Sequence, residues 1–271
     1  RLHRGAQCKE SRPNEMKKMR TRITAIILGL LLIGYAHSPL AAQEANAPTE
    51  SALAVGQRAL EQGDLKTARE RLESAYKELG ENDTTVVLLL TETYIRSREF
   101  KKAEQVITAG VKANPESPNL YLKEGIVMNL RGRFKKAQES FQRANELLPS
   151  NAPERASLYI NLGLAIMNDE RPLDAIAWYN LAIELSPRNA TAYTCKGSAL
   201  YKIGDYIEAA AAYDRAIEID QTNAMSYYNR GMALLRGGDS EKGCADFHTA
   251  CRMGHLNACK AIVVECSKKN Q

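Results

Sequence analysis

A pattern of small and aromatic residues recurs at a nearly constant interval through most of the 271-residue chain. In its clearest copies a small residue is followed four positions later by an aromatic residue, and successive copies lie 38, 34 and 34 residues apart. The copies are Ala137 with Phe141, Ala175 with Tyr179, Ala209 with Tyr213, and Gly243 with Phe247. Each small residue also has a glycine twelve positions before it, a tyrosine sixteen positions before it and an alanine seven positions after it. Independent helices do not share residue classes at fixed spacing, so the pattern indicates a tandem array of one structural unit.

The residue types predict that each unit is a pair of antiparallel helices joined by a short turn, such as Ile203-Gly204-Asp205. Glycine in the first helix and alanine in the second mark the point where the two backbones cross, because a larger side chain would hold the helices apart. The tyrosine and the second aromatic residue fill the space beside this crossing. A single pair cannot bury its apolar face alone, so stability requires neighbouring pairs to stack.

This pattern resembles that of the tetratricopeptide-repeat (TPR) family over residues 49–257. Two weaker copies precede the four clear ones, and the second of them has Thr91 in place of the first-helix glycine and Gly110 in place of the later alanine. The resemblance implies an all-α fold: a right-handed superhelical solenoid of six TPR helix pairs plus a C-terminal capping helix. An amphipathic segment that begins at Leu256 predicts this cap, and we assign residues 258–271 to the capping helix and tail.

The N-terminal sequence has the three-part layout of an export signal. We interpret residues 1–15 as an upstream extension that is not native, residues 16–42 as a signal peptide, and residues 43–48 as a polar linker. A retained membrane anchor is the alternative, but the 14 uncharged residues of Ile23–Ala36 fall short of the roughly 20 that a spanning helix needs. Cleavage after Ala42 leaves no cysteine at the new terminus, which argues against a lipoprotein. We therefore expect an exported, periplasmic protein with no membrane span after cleavage.

The positive charge of the chain comes from its N-terminal segment. The whole sequence has 37 basic and 32 acidic residues, a formal charge of +5. Residues 1–42 contain 8 of the basic and 2 of the acidic residues, which leaves 29 basic and 30 acidic residues in the mature chain. A charge of −1 gives no reason to expect a nucleic-acid partner.

The TPR resemblance implies that partner proteins bind along a concave groove lined by the first helix of each pair, at the second, fifth, ninth, twelfth and thirteenth positions of the repeat. The mixture is apolar and amide-rich with cations at one edge, and it suits a helix or an extended peptide segment. We expect about a third of these side chains to contact neighbouring helices as core. The selected residues are Asn119, Leu122, Ile126, Asn129, Ile160, Leu164, Met167, Asn168, Thr194, Ser198, Tyr201, Lys202, Met225, Tyr228, Met232 and Arg236.

Five cysteines remain in the mature sequence, and four of them form two pairs with a spacing of seven. Cys244 and Cys251 lie on the last second helix, whereas Cys259 and Cys266 lie on the capping segment. If these helices are antiparallel neighbours, Cys251 faces Cys259 and Cys244 faces Cys266, which allows two disulfides. The Cys251-to-Cys259 spacing also resembles the helix-linking bridges of secreted Sel1-like repeat proteins. The fifth, Cys195, is expected to be a buried thiol between the fourth and fifth pairs.

Two other interpretations of the C-terminal cysteines stay open. They can be small buried apolar residues, or Cys244, His248, Cys251 and His255 can form a zinc-binding stripe on one helix face. No Gly-rich phosphate loop, HExxH, CxxC or GxSxG motif occurs, so we expect no enzyme and no cofactor. The leading hypothesis is an exported interaction scaffold, with a role in envelope assembly. The alternative is a redox- or metal-dependent protein that uses the C-terminal Cys/His cluster.

Overall fold

The computed structural model describes residues 50–267, which are almost entirely helical. The expected upstream extension, signal peptide and linker lie outside the described residues. The α-helices of this range are α1 (Ala52–Glu61), α2 (Leu65–Leu79), α3 (Thr84–Arg96), α4 (Phe100–Ala113), α5 (Pro118–Leu130), α6 (Phe134–Leu147), α7 (Glu154–Asn168), α8 (Pro172–Leu185), α9 (Ala190–Ile203), α10 (Tyr206–Ile219), α11 (Ala224–Arg236), α12 (Ser240–Arg252) and α13 (Leu256–Ala261). Helix α13 continues into a π-helical turn at Ile262–Cys266.

The first twelve helices form six consecutive pairs, from α1/α2 to α11/α12. The two helices of a pair pack against each other, the second helix packs on the first helix of the next pair, and consecutive first helices also touch. The predicted all-α solenoid of six helix pairs with a terminal cap is therefore confirmed. None of the helices in the described range combines the length and the apolar content that a membrane crossing requires.

Each pair turns at one left-handed residue between its two helices. The residue is glycine in four pairs, for example Gly132 with φ +70° and Gly204 with φ +88°. In the second and fourth pairs it is Arg98 (φ +59°) and Glu170 (φ +61°), although a side chain disfavours this backbone region. The turn is short because it must reverse the chain between two packed helices.

A glycine in the first helix faces the large side chain of the second helix in five of the six pairs. A Cβ atom on Gly125 would lie 2.5 Å from the ring of Phe141, and one on Gly163 would lie 2.5 Å from the ring of Tyr179. Because the ring occupies the space of the missing side chain, the two helices approach closely and the ring is buried. In four of the five pairs the facing side chain is a ring, in the first pair it is Leu72, and these contacts set the distance between the two helices.

In the second pair, neither the glycine nor the aromatic ring of this contact is present. Thr91 stands at the glycine position and Ile107 at the aromatic position, and both are fully buried. The larger residue in the first helix is thus matched by a side chain in the second that is smaller than the ring of the other copies. Gly110, three residues after Ile107, leaves space for the side chain of Val87. A Cβ atom on Gly110 would lie 2.5 Å from Cγ1 of Val87.

The terminal cap is attached to the last pair through two disulfides. Cys244 and Cys266 are bonded with their Cα atoms 5.8 Å apart, and Cys251 and Cys259 with their Cα atoms 4.9 Å apart. These are the two pairings expected for antiparallel neighbouring helices. Around them, Ala258 of α13 packs with Phe247 and Ala250 of α12 in a small buried cluster, which side chains of α11 and of the π-helical turn also contact. Helix α13 begins at Leu256, where the amphipathic segment was expected to start.

Candidate partner-binding groove

The predicted groove residues lie on the first helices α5, α7, α9 and α11, which are neighbours in the solenoid. Among these sixteen described residues only Ile160 is buried, with 7% of its surface exposed. The others are half-buried or exposed. Half-buried members such as Leu164 and Met167 contact the core at one side and leave the other side accessible.

Polar contacts link the first helices along this face. The Asn168 amide donates to Oδ1 of Asn129 across 3.0 Å, which joins α7 to α5. Farther along, the Thr194 and Ser226 hydroxyls lie 3.4 Å apart between α9 and α11. Because the links run between successive pairs, they hold the predicted positions in a fixed order along the face.

A recess of about 230 Å³ lies between α9 and α11 on this face. Its lining consists of Tyr201, Tyr213, Tyr228, Asn229 and Met232. Three of these residues are predicted groove positions, and the structure brings them together from two adjacent pairs. Sequence reasoning missed the other two. The repeat pattern assigned Tyr213 to packing alone. It did not select Asn229, because the groove position of the repeat falls on the preceding residue, Tyr228.

Tyr213 forms the floor of the recess. Its side chain is nearly fully buried, and its hydroxyl lies 3.0 Å from the hydroxyl of Ser198, another predicted groove residue. Burial raises the pKa of Tyr213 to about 12, because the phenolate is costly to form away from water. The hydroxyl therefore stays protonated at neutral pH and is available as a hydrogen-bond donor or acceptor beneath a bound group.

The wall of the recess at Tyr228 is supported by the disulfide-bonded cap. The imidazole of His255 stacks on the Tyr228 ring with centroids 4.5 Å apart, and Phe247 packs with its ring centroid 5.8 Å away. Nδ1 of His255 also accepts the backbone N–H of Ala258 and so caps the first turn of α13. The cap therefore fixes the orientation of one of the aromatic residues that face the recess.

Charged side chains lie at one end of the groove. Lys202 follows Tyr201 on α9 and pairs with Glu170 at 2.7 Å, and Arg236 is exposed at the end of α11. At the other end of α11, Met225 keeps 55% of its surface exposed. The recess thus has a mainly aromatic lining with a few hydrogen-bonding groups, and the groove around it has basic side chains at one end and an exposed methionine at the other.

The disulfides account for the cysteines of the proposed zinc stripe. Cys244 and Cys251 are each bonded to another cysteine and cannot act as thiolate ligands in this state. Between residues 50 and 267 no group of three or more His, Cys, Asp or Glu side chains is arranged to hold a metal ion. Cys195 has a free thiol, half-buried among the residues of the fourth and fifth pairs. Burial raises the pKa of this thiol to about 11, which makes it unreactive near neutral pH.

Comparisons with known proteins match the repeats. A family model described as TPR repeat matches residues 174–204 and 197–238, and another described as tetratricopeptide repeat matches residues 59–124. No curated protein sequence matches the chain.

Solved structures show the same architecture at low sequence identity. YrrB, described as a TPR protein with an unusual peptide-binding site, is 21% identical with a TM-score of 0.52 and covers 70% of this chain and 96% of its own. PilF of Pseudomonas aeruginosa is 18% identical with a TM-score of 0.63 and covers 74% of this chain and 90% of its own. A TPR protein of Parabacteroides merdae is 19% identical with a TM-score of 0.64 and covers 78% of this chain and 81% of its own. The family-model matches identify residues 59–124 and 174–238 as tetratricopeptide repeats, and the stacked helix pairs of the structure have the architecture of such repeats.

Proposed function

We propose that the protein is a non-enzymatic interaction scaffold that binds a peptide or helix segment of partner proteins along the face formed by α5, α7, α9 and α11. The observation that carries this proposal is the recess between α9 and α11, where Tyr201, Tyr228 and Met232 converge on one open cavity. Accessible aromatic and methionine side chains are costly to leave in water, and they adapt well to an apolar side chain of a partner.

The arrangement favours a segment with an apolar anchor residue. The anchor enters the recess, and the rest of the segment follows the half-buried side chains of α7 and α5, such as Leu164 and Ile126. Asn229, at the recess, can bond the peptide backbone of the segment through its amide group. Helix-in-groove and extended-peptide binding both place apolar side chains at regular intervals on such a face. A peptide-binding site is also named for the structurally similar YrrB.

We further propose that the protein works outside the cytoplasm, in the assembly of the cell envelope. Two disulfides in a small helical cap suit an oxidising compartment, and the sequence of residues 16–42 has the layout of a signal peptide. N-terminal sequencing of the protein from envelope fractions tests this directly. A terminus near Gln43 supports cleavage and export, whereas a terminus near Met16 supports the anchored alternative.

Site-specific photocrosslinking tests the groove. A photoreactive amino acid at position 225 lies at the open end of the groove on α11, and one at Ile207 on α10 is a control, since Ile207 is 78% exposed but lies on a second helix. We expect crosslinks to partner proteins in envelope extract from position 225 and not from position 207. The same crosslinks should disappear when Tyr228→Ala and Met232→Ala are added.

A pull-down that compares the mature chain with the double variant provides a second test. The mature chain from Gln43 should retain partners that the Tyr228→Ala, Met232→Ala variant loses, because the substitutions remove two sides of the recess while the cap disulfides remain. If both chains retain the same proteins, or if crosslinks form equally from positions 225 and 207, the groove does not bind the partners.

A further inference from the structure

The turns between the two helices of the second and third pairs carry an unusual concentration of positive charge. Residues 96–102 contain four basic residues and one acidic residue, and residues 130–136 contain four basic residues and no acidic one. We refer to these two turns as the basic edge. It lies where the first helices α3 and α5 end and the second helices α4 and α6 begin, and Asn129 of the groove directly precedes it on α5.

The same turn in the other four pairs does not share this charge. The equivalent windows are 61–67, 168–174, 202–208 and 236–242, with formal charges of −1, −2, −1 and 0, against +3 and +4 for the two turns of the basic edge. The repeat needs a left-handed residue and a helix start at this turn, and it does not need lysine or arginine. The positive charge is therefore a property of these two turns and not of the fold.

The turn of the third pair contacts helix α4, which begins in the turn of the second pair, so the charges of the two turns lie on neighbouring elements. Nε of Arg131 lies 3.2 Å from a carboxylate oxygen of Glu104, on the neighbouring pair, and Arg133 also pairs with Glu104. Within the basic edge, Glu99 pairs with Lys102 at 2.6 Å. A single carboxylate between two arginines leaves an excess of positive charge on the third turn.

Four cations of the basic edge remain open to an external partner. Arg98, Lys101, Lys135 and Lys136 are exposed, and no carboxylate in residues 50–267 lies within ion-pair distance of them. A shallow recess of about 280 Å³ lies beside the third turn, lined by the two lysines with Phe134 and Asp169 among other residues. The surface thus combines unpaired positive charge with a half-buried aromatic ring.

We propose that the basic edge binds an acidic segment of a partner protein, in which Asp or Glu side chains pair with these four cations. A short segment can contact the two basic turns alone. A membrane of anionic lipids or a nucleic acid would extend along the whole edge and meet the acidic turns on either side. In addition, residues 50–267 carry 27 basic and 29 acidic residues, so no overall charge draws the protein to an extended anionic surface.

Fluorescence anisotropy with a labelled oligo-glutamate peptide tests this proposal on the mature chain. We expect salt-sensitive binding, strong at about 0.02 M and weak at about 0.3 M ionic strength, because exposed charges are screened over a Debye length. The Lys135→Glu, Lys136→Glu variant should lose affinity by about tenfold or more. Acidic residues in the first turn of α6 interact favourably with the helix dipole, so the variant should fold. Circular dichroism checks that it does.

A variant with the same change of net charge at other positions distinguishes the effect of the basic edge from the effect of net charge. Lys112→Glu with Arg188→Glu changes the charge of the chain equally, at exposed positions near the loops between pairs. This variant should bind the peptide within about twofold of the wild type at equal salt. Equal losses in both variants, no binding by the wild type, or binding to vesicles of phosphatidylglycerol and phosphatidylethanolamine with none to the peptide would each overturn the proposal.

Discussion

His255 stacks on Tyr228 with the two ring centroids 4.5 Å apart and the ring planes inclined by 29°. His255 lies inside the eight-residue loop that the Cys251–Cys259 disulfide closes, whereas Tyr228 lies on the first-helix face and lines the recess. The end of the solenoid and the candidate binding face therefore share one aromatic contact. The stability of the cap and the shape of the recess are coupled through this contact between His255 and Tyr228.

The disulfides should contribute strongly to the stability of the last pair. Replacing Cys244 and Cys266, or Cys251 and Cys259, by serine should lower the free energy of unfolding by about 2–3 kcal/mol for each pair, since each bond restricts the unfolded chain. Urea denaturation measures the change. As an independent check, a thiol titration of the denatured but unreduced mature chain should find one free thiol, that of Cys195. Three or five free thiols would contradict the pairing.

Gly163→Leu should separate α7 from α8. A Cβ at this position already comes within 2.5 Å of the Tyr179 ring, which is fully buried and cannot move without opening the pair. We expect destabilisation of about 3 kcal/mol or more, because overpacking a closed interior shifts backbone and rotamers together. Thermal or urea unfolding measures it. Ala177→Leu adds the same side chain at an exposed position of α8 and should change stability little. Unaltered unfolding of Gly163→Leu would mean that the repeat register is wrong.

Arg98→Gly should stabilise the second pair. Arg98 has φ +59°, in the region where most of the equivalent turns carry glycine. Relief of this backbone strain is worth about 1 kcal/mol, partly offset by the greater freedom of glycine in the unfolded chain. The neighbouring Ser97 has φ −78°, so Ser97→Gly gains nothing and should be neutral or destabilising. Urea midpoints of both variants test this, and a less stable Arg98→Gly variant would contradict the explanation.

Stability should fall at alkaline pH because buried acidic groups keep their protons in the folded state. Burial raises the pKa of Cys195 from 9.0 to about 11 and that of Tyr213 from 10.0 to about 12, and it also raises the pKa of Tyr179. Between these ordinary and raised values the unfolded chain has lost protons that the folded chain retains, so the free energy of unfolding decreases as the pH rises. Urea midpoints measured across this range should show the decrease.

Cys195→Ala isolates one part of this pH dependence. The variant should lose less stability than the wild type between the ordinary thiol pKa of 9.0 and the raised value of about 11, and the two should have parallel midpoints below it. The same pH profile for both proteins would show that the Cys195 thiol is not held protonated by burial. Alkylation of the native protein at neutral pH should also be slow, and fast after unfolding.

Much of the fold could be predicted from the sequence because the repeat is a local pattern. The glycine of each clear copy faces the predicted ring, as Gly125 faces Phe141, and the turn glycines lie between the paired helices. The spacing of seven between cysteines on each of two helices likewise indicated which partners could face each other. These relationships lie within one pair or between adjacent helices, where helix geometry alone determines the register.

The candidate site depended on relationships that are not local. The recess requires Tyr201 and Tyr228 from two pairs to face each other at one angle, and it exposes part of Tyr213, a residue that the repeat pattern assigns to packing. The contact of His255 with Tyr228 and the approach of Arg131 to Glu104 also join different pairs. The sequence by itself determined the helices, their pairing and their order. Only the tertiary structure decided which side chains meet between pairs, because the angle between pairs is the sum of many weak contacts that no single residue controls.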